Sequence, residues 1–182
     1  MKTAIGVFVT LFSLASVATA TSILTGLSIT SDFQATGVGV YAGPVVSTAP
    51  ATISPYPGIN SNGTFSVTYT DSTITLLSAG GSTLFSPGFA FNGIVFDLPA
   101  SFTFSSATID GATTLSGFVA GDLSFAANVL QVNLDALTFN SGNQLVLDVN
   151  GSTTSATPEP GTLALGAGGM ILVGFLRRLR RA

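Results

Sequence analysis

The sequence predicts an all-β protein, an antiparallel β-sandwich of roughly ten strands with jelly-roll-like connections. Along residues 21–151, short runs rich in Val, Thr, Phe and Leu alternate with turns rich in Gly, Asn, Asp and Pro, which is typical of strands and turns. No ten-residue stretch of this body repeats its apolar residues at the helical period. Two apolar terminal segments flank the body, and we expect them to form a signal helix and a C-terminal transmembrane helix.

The first half of the body contains the clearest strand pattern. Residues 22–30 and 33–41 predict two strands, and residues 42–62 predict a long proline-containing loop with room for an edge strand. The cleanest hairpin follows, because residues 64–69 alternate apolar and hydroxyl side chains and residues 73–78 return after a turn. The alternation places Phe65, Val67 and Tyr69 on one face of this hairpin.

The second half repeats the pattern in shorter runs. Further short strands are predicted at residues 83–85, 107–110, 115–119, 122–126 and 137–139. Apolar residues spaced two apart predict the buried faces of strands, and these are Ile94, Phe96, Leu98, Phe102, Phe104, Leu130, Val132, Leu134, Leu145, Leu147 and Val149. Because turn signals separate neighbouring runs, we expect antiparallel pairing.

Charge is distributed unevenly along the chain. The five basic residues lie near the termini and are Lys2, Arg177, Arg178, Arg180 and Arg181. The body holds seven aspartates and no basic residue, so its net charge is −7. Salt bridges therefore cannot hold the body together, and nucleic acid, a polyanion, is not expected as a partner. The chain has no cysteine, so no disulfide stabilises it.

The C-terminal segment combines three features in a fixed order. A Pro-Glu-Pro tripeptide precedes an uncharged apolar run over residues 162–176, and four arginines follow it. As a helix, the uncharged stretch from Gly161 to Leu176 is roughly 24 Å long, short of the ~30 Å hydrocarbon core, so it makes a marginal anchor with its arginines on the cytoplasmic side. We divide this end into a linker containing the tripeptide, residues 152–161, and a transmembrane helix with an Arg-rich tail, residues 162–182.

This arrangement resembles the PEP-CTERM sorting signal. The matching residues are Pro158, Glu159, Pro160, Arg177, Arg178, Arg180 and Arg181. The resemblance implies that an exosortase, a membrane protease-transpeptidase, recognises the tail and that the protein is sent to the bacterial envelope or exopolysaccharide. Gly161 departs mildly from the Ser or Thr that often follows the second proline in the family. A plain tail anchor is the alternative.

The N-terminus has the form of a secretory signal peptide. One positive charge precedes an apolar run over residues 4–17, and Ala18 and Ala20 give the small-x-small pattern of a signal peptidase site. We expect signal peptidase to remove residues 1–20, so that the mature chain begins at Thr21. An uncleaved N-terminal anchor is the alternative.

The sequence offers little for catalysis. It has no histidine and no cysteine, and its body has no lysine or arginine, which removes histidine bases, thiol nucleophiles and phosphate clamps. A pair of aspartates could hydrolyse a glycoside, but these aspartates fall singly at predicted turns, where local hydrogen bonding favours them. An aspartate-based glycosidase is the weakest interpretation, and we expect the protein not to be an enzyme.

Two kinds of binding are compatible with the body. Calcium prefers six to eight oxygen ligands, and converging loops would supply them from Asp110, Asp122, Asn128, Asp135 and Asp148. Such a site would make the body a calcium-dependent glycan-binding module.

Aromatic residues offer a second route to carbohydrate. Tyr41 and Tyr56 flank the proline-containing loop, whereas Tyr69 occupies a core position of the hairpin. The leading interpretation is nevertheless an exported, non-enzymatic envelope or matrix protein with a structural or adhesive role near exopolysaccharide.

Overall fold

The computed structural model describes residues 23–59 and 64–154. These residues form an all-β fold of twelve strands with one short 3₁₀ helix, Ala120–Asp122. No helix within these two ranges is long and apolar enough to cross a bilayer. The predicted signal peptide (1–20) and transmembrane segment (162–182) lie outside the described residues.

The strands are short and follow one another closely along the chain. They are β1 (Ser28–Ala35), β2 (Gly39–Thr48), β3 (Ala51–Ile53), β4 (Thr64–Tyr69), β5 (Thr73–Ala79), β6 (Thr83–Leu84), β7 (Asn92–Asp97), β8 (Phe102–Ile109), β9 (Leu123–Ala126), β10 (Val129–Asn133), β11 (Thr138–Phe139) and β12 (Gln144–Thr153). Ten of them belong to two five-stranded sheets, in the orders β2-β1-β7-β10-β9 and β3-β4-β5-β12-β8. β11 and β6 form a separate two-stranded sheet. Every strand pair is antiparallel, which confirms the predicted all-β, antiparallel class.

The predicted hairpin is present at the centre of the second sheet. β4 pairs with β5 along its whole length. Phe65, Val67 and Tyr69, which the alternation places on one face, are at most 1% exposed. The Thr70 hydroxyl oxygen accepts the backbone N–H of Thr73 at 3.0 Å and closes the turn. Alternation with period two therefore predicts both the strands and their buried face here.

The predicted faces of the later strands are also confirmed. The inward residues named from the sequence are all buried, namely Ile94, Phe96, Leu98, Phe102, Phe104, Leu130, Val132, Leu134, Leu145, Leu147 and Val149. The strand predicted over residues 115–119 is wrong, because these residues lie in the connection between β8 and the 3₁₀ helix. Within this connection, the backbone N–H of Leu115 donates to the carbonyl of Gln144. Leu115 and Phe118 are buried all the same, so their apolar character reflects packing without strand pairing.

The core draws side chains from both five-stranded sheets. Phe33 of β1 packs edge-on against Phe65 of β4, with ring centroids 5.6 Å apart. Tyr69 of β4 contacts Phe96 of β7 at 6.0 Å. Phe85, next to β6, stacks on Phe33 at 5.7 Å, so the two-stranded sheet contributes to the same core. Burial of apolar surface, worth about 25 cal/mol per Å², is the main stabilising contribution in a body without ion pairs.

The beginning of the body differs from its prediction. β1 starts at Ser28, six residues after the predicted start at residue 22, and it continues past residue 30 to Ala35. The reason is a contact far along the chain: the backbone N–H groups of Ile23 and Leu24 both donate to the carbonyl of Asp71, at 2.9 and 2.8 Å. This segment is therefore held against the β4–β5 turn and is not part of a strand.

The proline-containing segment has more strand than predicted. β2 begins within the predicted strand 33–41 but continues through Pro44 to Thr48, and β3 follows it. Both strands lie at sheet edges, where a proline removes no ladder hydrogen bond. The predicted loop over residues 42–62 is therefore partly wrong, and the edge strand expected within it is confirmed.

β12 joins two neighbours in the second sheet. It pairs with β5 and β8, and its register to β8 shifts between Asn150 and Gly151. A Cβ on Gly151 would lie 2.5 Å from the backbone oxygen of Thr103, so this position needs glycine. β12 ends at Thr153, two residues into the predicted linker 152–161.

Candidate functional site

A cavity of about 290 Å³ opens beside β2, at the end of the fold where β6 lies. Its walls include Tyr41, Thr83, Leu84, Phe89 and Asn92, and we call it the Tyr41 cavity. Its volume is near the lower end of the roughly 300–1,000 Å³ typical of small-molecule sites. The walls combine aromatic and aliphatic side chains with an amide and a hydroxyl, which is the usual composition of such sites.

Tyr41 and Asn92 are joined across the cavity wall. The Tyr41 hydroxyl donates to Asn92 Oδ1 at 2.9 Å. Asn92 Nδ2 donates to the carbonyl of Ser86 at 2.9 Å, and the Asn92 backbone N–H donates to Asn133 Oδ1 at 3.0 Å. Asn92 is 4% exposed, whereas Tyr41 is 39% exposed. Asn92 therefore fixes the orientation of an aromatic ring that remains accessible.

The wall between β6 and β7 is held in place by side chains from other elements. The Asp135 carboxylate accepts the backbone N–H of Phe89 at 3.1 Å. Thr36 Oγ1 accepts the backbone N–H of Phe91 at 3.0 Å. Asn133 Oδ1, which holds Asn92, also accepts the N–H of Asp135 at 3.2 Å. The wall is thus supported by Thr36, directly after β1, by Asn133 at the end of β10 and by Asp135 just beyond it, and the cavity is preformed.

Thr83 of β6 contributes a buried hydroxyl to the cavity wall. Thr83 is 6% exposed. Its Oγ1 has no hydrogen-bond partner among the described residues. A buried hydroxyl without a partner costs about 1–3 kcal/mol, so this oxygen has unused capacity for a hydrogen bond.

The ionisation of the cavity is simple. Tyr41 is the ionisable group among the lining residues, and burial raises its pKa to about 12. It is therefore neutral at physiological pH and acts as a hydrogen-bonding phenol. The body has seven aspartates, and no basic residue occurs between residues 3 and 176. The surroundings of the cavity are consequently anionic, while its lining is neutral.

The other two tyrosines are core residues. Tyr56 is 2% exposed, and burial raises its pKa to about 12. Tyr69 is 1% exposed, and burial raises its pKa as well. The core position predicted for Tyr69 is confirmed, whereas Tyr56 is buried and not available as a surface stacking residue. Tyr41 is the tyrosine left for contact with a ligand.

Two of the predicted calcium ligands serve separate local turns. Asp110 Oδ1 accepts the backbone N–H of Ala112 at 2.6 Å. Asp122 Oδ2 accepts the backbone N–H of Val119 at 2.8 Å, at the start of the 3₁₀ helix. A third, Asp135, supports the wall of the Tyr41 cavity. Asp110 and Asp122 therefore act as the turn residues that their sequence positions indicate, whereas Asp135 binds a segment 46 residues away in the chain.

The remaining two candidates are also placed apart. Asn128 donates to Asp97 Oδ1 at 2.8 Å, and Asp148 lies on β12 opposite Thr73 and Thr108. Over residues 23–59 and 64–154, no group of three or more His, Cys, Asp or Glu residues could hold a metal ion. Calcium binding and the glycosidase both stay predictions.

Neither Asn92 nor Thr83 is predicted as a site residue from the sequence. The position of Asn92 before an apolar strand is typical of a turn residue, and Thr83 has the position of an ordinary polar residue in a strand. The partner of the Asn92 side chain comes from a distant part of the chain, since Tyr41 is 51 residues away. No local pattern could have identified the pair.

Comparisons of the chain with known protein families, curated proteins and solved structures find no match. The predicted sorting residues (158–160 and 177–181) and the signal peptidase site (Ala18 and Ala20) lie outside the described residues. The PEP-CTERM resemblance therefore rests on those residues alone and stays a prediction.

Proposed function

We propose that this chain is an exported, non-enzymatic protein of the bacterial envelope or extracellular matrix, with a structural or adhesive role near exopolysaccharide. The observation that carries the proposal is the distribution of charge. All five basic residues lie in two short terminal segments, and the body between them has seven aspartates and no basic residue. A cargo flanked by two such segments is typical of an exported protein with a membrane-retained tail.

In this proposal each terminal segment has a separate task. Signal peptidase cleaves after Ala20, and the Pro-Glu-Pro tail retains the body at the membrane with its arginines on the cytoplasmic side. An exosortase-like transpeptidase then recognises residues 158–160 and the arginine cluster. The body is delivered to the envelope or to the exopolysaccharide outside it.

The surface of the body supports an adhesive role. Thr52 and Thr68 present adjacent exposed hydroxyls 3.1 Å apart on neighbouring strands of the second sheet. Val40 and Val46, on edge strand β2, are 50% and 65% exposed. Hydroxyl and apolar groups can contact uncharged polymers, which the negative charge of the body does not repel.

We also propose that the two five-stranded sheets form a β-sandwich with jelly-roll-like connections. The Phe33–Phe65 and Tyr69–Phe96 contacts support this arrangement, because each joins one sheet to the other. A crystal structure of the full-length protein tests it. Sheets that do not pack face to face over these rings would contradict it.

Mass spectrometry of the protein isolated from its native host tests the export and sorting proposal. We expect an N-terminus at Thr21 and a C-terminus near Pro160. Glu159→Ala should block C-terminal processing, whereas Thr157→Ala, adjacent to the tripeptide, should leave it intact. A wild-type protein that keeps its Arg181-Ala182 end would instead favour a plain tail anchor.

Glycan binding is a second candidate function, and the Tyr41 cavity is the observation that favours it. Its calcium-dependent form is tested by titrating Ca²⁺ into the full-length protein in a calorimeter. Heat of binding that Asp110→Asn abolishes would support a calcium site. A titration that releases no heat of binding would count against the calcium-dependent form of glycan binding.

A further inference from the structure

We propose that the Tyr41 cavity binds a single neutral sugar ring of a glycan. This inference rests on the proposed function, because it gives the envelope or matrix protein a ligand class and a binding site. It adds to the general adhesive role a defined contact that does not require calcium.

The aromatic part of the cavity suits the apolar face of a sugar ring. The Tyr41 ring is 39% exposed, and it rests on the buried ring of Phe33 with centroids 6.2 Å apart. Its hydroxyl is fixed by Asn92. An aromatic ring that is accessible and already oriented loses little conformational entropy when a ligand packs against it. Phe89 and Leu84 extend the apolar surface around it.

The polar part of the cavity suits ligand hydroxyl groups. The Tyr41 oxygen donates to Asn92 and retains lone pairs that can accept a hydrogen bond. Asn92 Nδ2 has two N–H groups, one of which donates to Ser86. Thr83 Oγ1 is buried in the same wall without a partner among the described residues. A hydroxyl-rich ligand supplies a partner for the oxygen of Tyr41, the accessible member of this polar set, whereas Asn92 and Thr83 are only 4% and 6% exposed.

The electrostatics favour a neutral ligand over an anionic one. None of the described residues that line the cavity is a cation that could pair with a carboxylate, sulfate or phosphate. The body has seven aspartates and no basic residue, so its potential repels anions. Neutral hexoses and pentoses therefore fit this site, and uronic acids or phosphorylated sugars do not.

The size of the cavity limits the contact to one ring. A volume of about 290 Å³ is at the small end of ligand sites, and a glycan would therefore insert a terminal or branching residue while its remaining units stay in solvent. Contacts of this size are weak individually. Many copies of the protein on one polymer would add their affinities through multivalency.

The test uses the full-length chain, purified in a detergent without a sugar headgroup, on an array of neutral and uronic-acid-containing oligosaccharides. We expect binding to neutral glycans alone. For the neutral glycan bound best, Tyr41→Ala should weaken binding by about tenfold or more, as expected for an aromatic anchor. Leu84→Ala, which shortens a 61% exposed side chain of the cavity wall, should weaken it several-fold without reducing thermal stability.

Phe125→Ala is the matched control. Phe125 is 40% exposed, close to Tyr41, but lies on the edge strand at the opposite side of the first sheet. Binding to the neutral glycan should change less than about twofold in this variant. Equal losses in the Tyr41 and Phe125 variants, or no neutral glycan bound by the wild type, would overturn the proposal.

Two further results keep the site and the sorting proposal separate. If Tyr41→Ala fails to fold, Leu84→Ala decides, because truncating an exposed side chain should not lower stability appreciably. The processed termini of the native protein are measured independently. Correct termini with no glycan binding would reject the cavity proposal alone, and unprocessed termini with glycan binding would reject the sorting proposal alone.

Discussion

The hydroxyl of Tyr56 donates a 2.6 Å hydrogen bond to the backbone carbonyl of Ser31 inside the core. The Ser31 Oγ lies 3.1 Å from the same hydroxyl, and both residues are at most 2% exposed. This contact ties the segment after β3 to the middle of β1. It therefore connects an edge of the second sheet with the first sheet by a polar interaction as well as by packing.

Replacing Tyr56 with phenylalanine should destabilise the protein by about 1–2 kcal/mol. The Ser31 carbonyl and hydroxyl would lose a buried partner, and an unpaired buried polar group costs about that amount. Urea unfolding of the full-length chain, followed by circular dichroism, measures the change. An unchanged unfolding midpoint would contradict the contribution assigned to this bond.

Tyr69→Phe is the matched comparison, and its effect on the free energy of unfolding should be absent or opposite in sign. The Tyr69 hydroxyl is buried and makes no hydrogen bond of ordinary geometry among the described residues, although the Ser31 side chain is near enough to offset part of the rise in its pKa. Removing it should leave stability unchanged or raise it by up to about 1 kcal/mol, because a desolvated group is removed without breaking a bond. The same urea experiment applies. A loss as large as that of Tyr56→Phe would mean that the Tyr69 hydroxyl has a partner.

Stability should fall in strong alkali as the tyrosines ionise. Burial raises the pKa of Tyr41 and Tyr56 to about 12, and it raises that of Tyr69 too. An unfolded tyrosine ionises near pH 10, so the unfolded chain releases protons that the folded chain still holds. This contribution to stability is fully present below about pH 10 and is lost as pH rises through about 12.

Tyrosinate absorbance in the near ultraviolet tests this directly, because the chain has three tyrosines and no tryptophan. The folded protein should titrate well above pH 10, and the same protein in urea should titrate near pH 10. A tyrosine that titrates at its ordinary pKa in the folded protein would contradict the burial described here.

Gly93→Ala should destabilise the protein by about 3 kcal/mol or prevent folding. A Cβ at this position would lie 1.9 Å from the backbone oxygen of Val132, in the central strand pair of the first sheet. Gly111→Ala is the control, because a Cβ there has no neighbour within 4 Å. Thermal unfolding of both variants measures the difference. Similar melting temperatures would show that β7 and β10 are further apart than described.

The sequence predicted best those features that depend on neighbouring residues. The alternation of Phe65, Val67 and Tyr69 specifies which face is buried wherever the strand pairs. The start of β1 depends instead on the carbonyl of Asp71, which captures two N–H groups from a segment far away in the chain. A pattern read along the chain contains no information on that contact.

The same reason explains why the candidate site was only partly predicted. Tyr41 could be named because exposed aromatic residues beside a proline-containing loop are few. Its partners depend on the pairing of β1 with β2 and with β7, which brings Tyr41 next to Asn92. Strand order is a property of the whole fold, so the cavity became visible only with the tertiary structure.

The confinement of lysine and arginine to the two ends has a practical consequence for detecting this protein. Trypsin cuts after these residues, and the sequence between Lys2 and Arg177 contains none. A tryptic digest of a cell surface would therefore yield no peptide of ordinary length from the β-rich body. Amine-directed labels would likewise find no lysine side chain on the strands. Surveys of the envelope need a protease that cuts at aromatic or acidic residues to observe it.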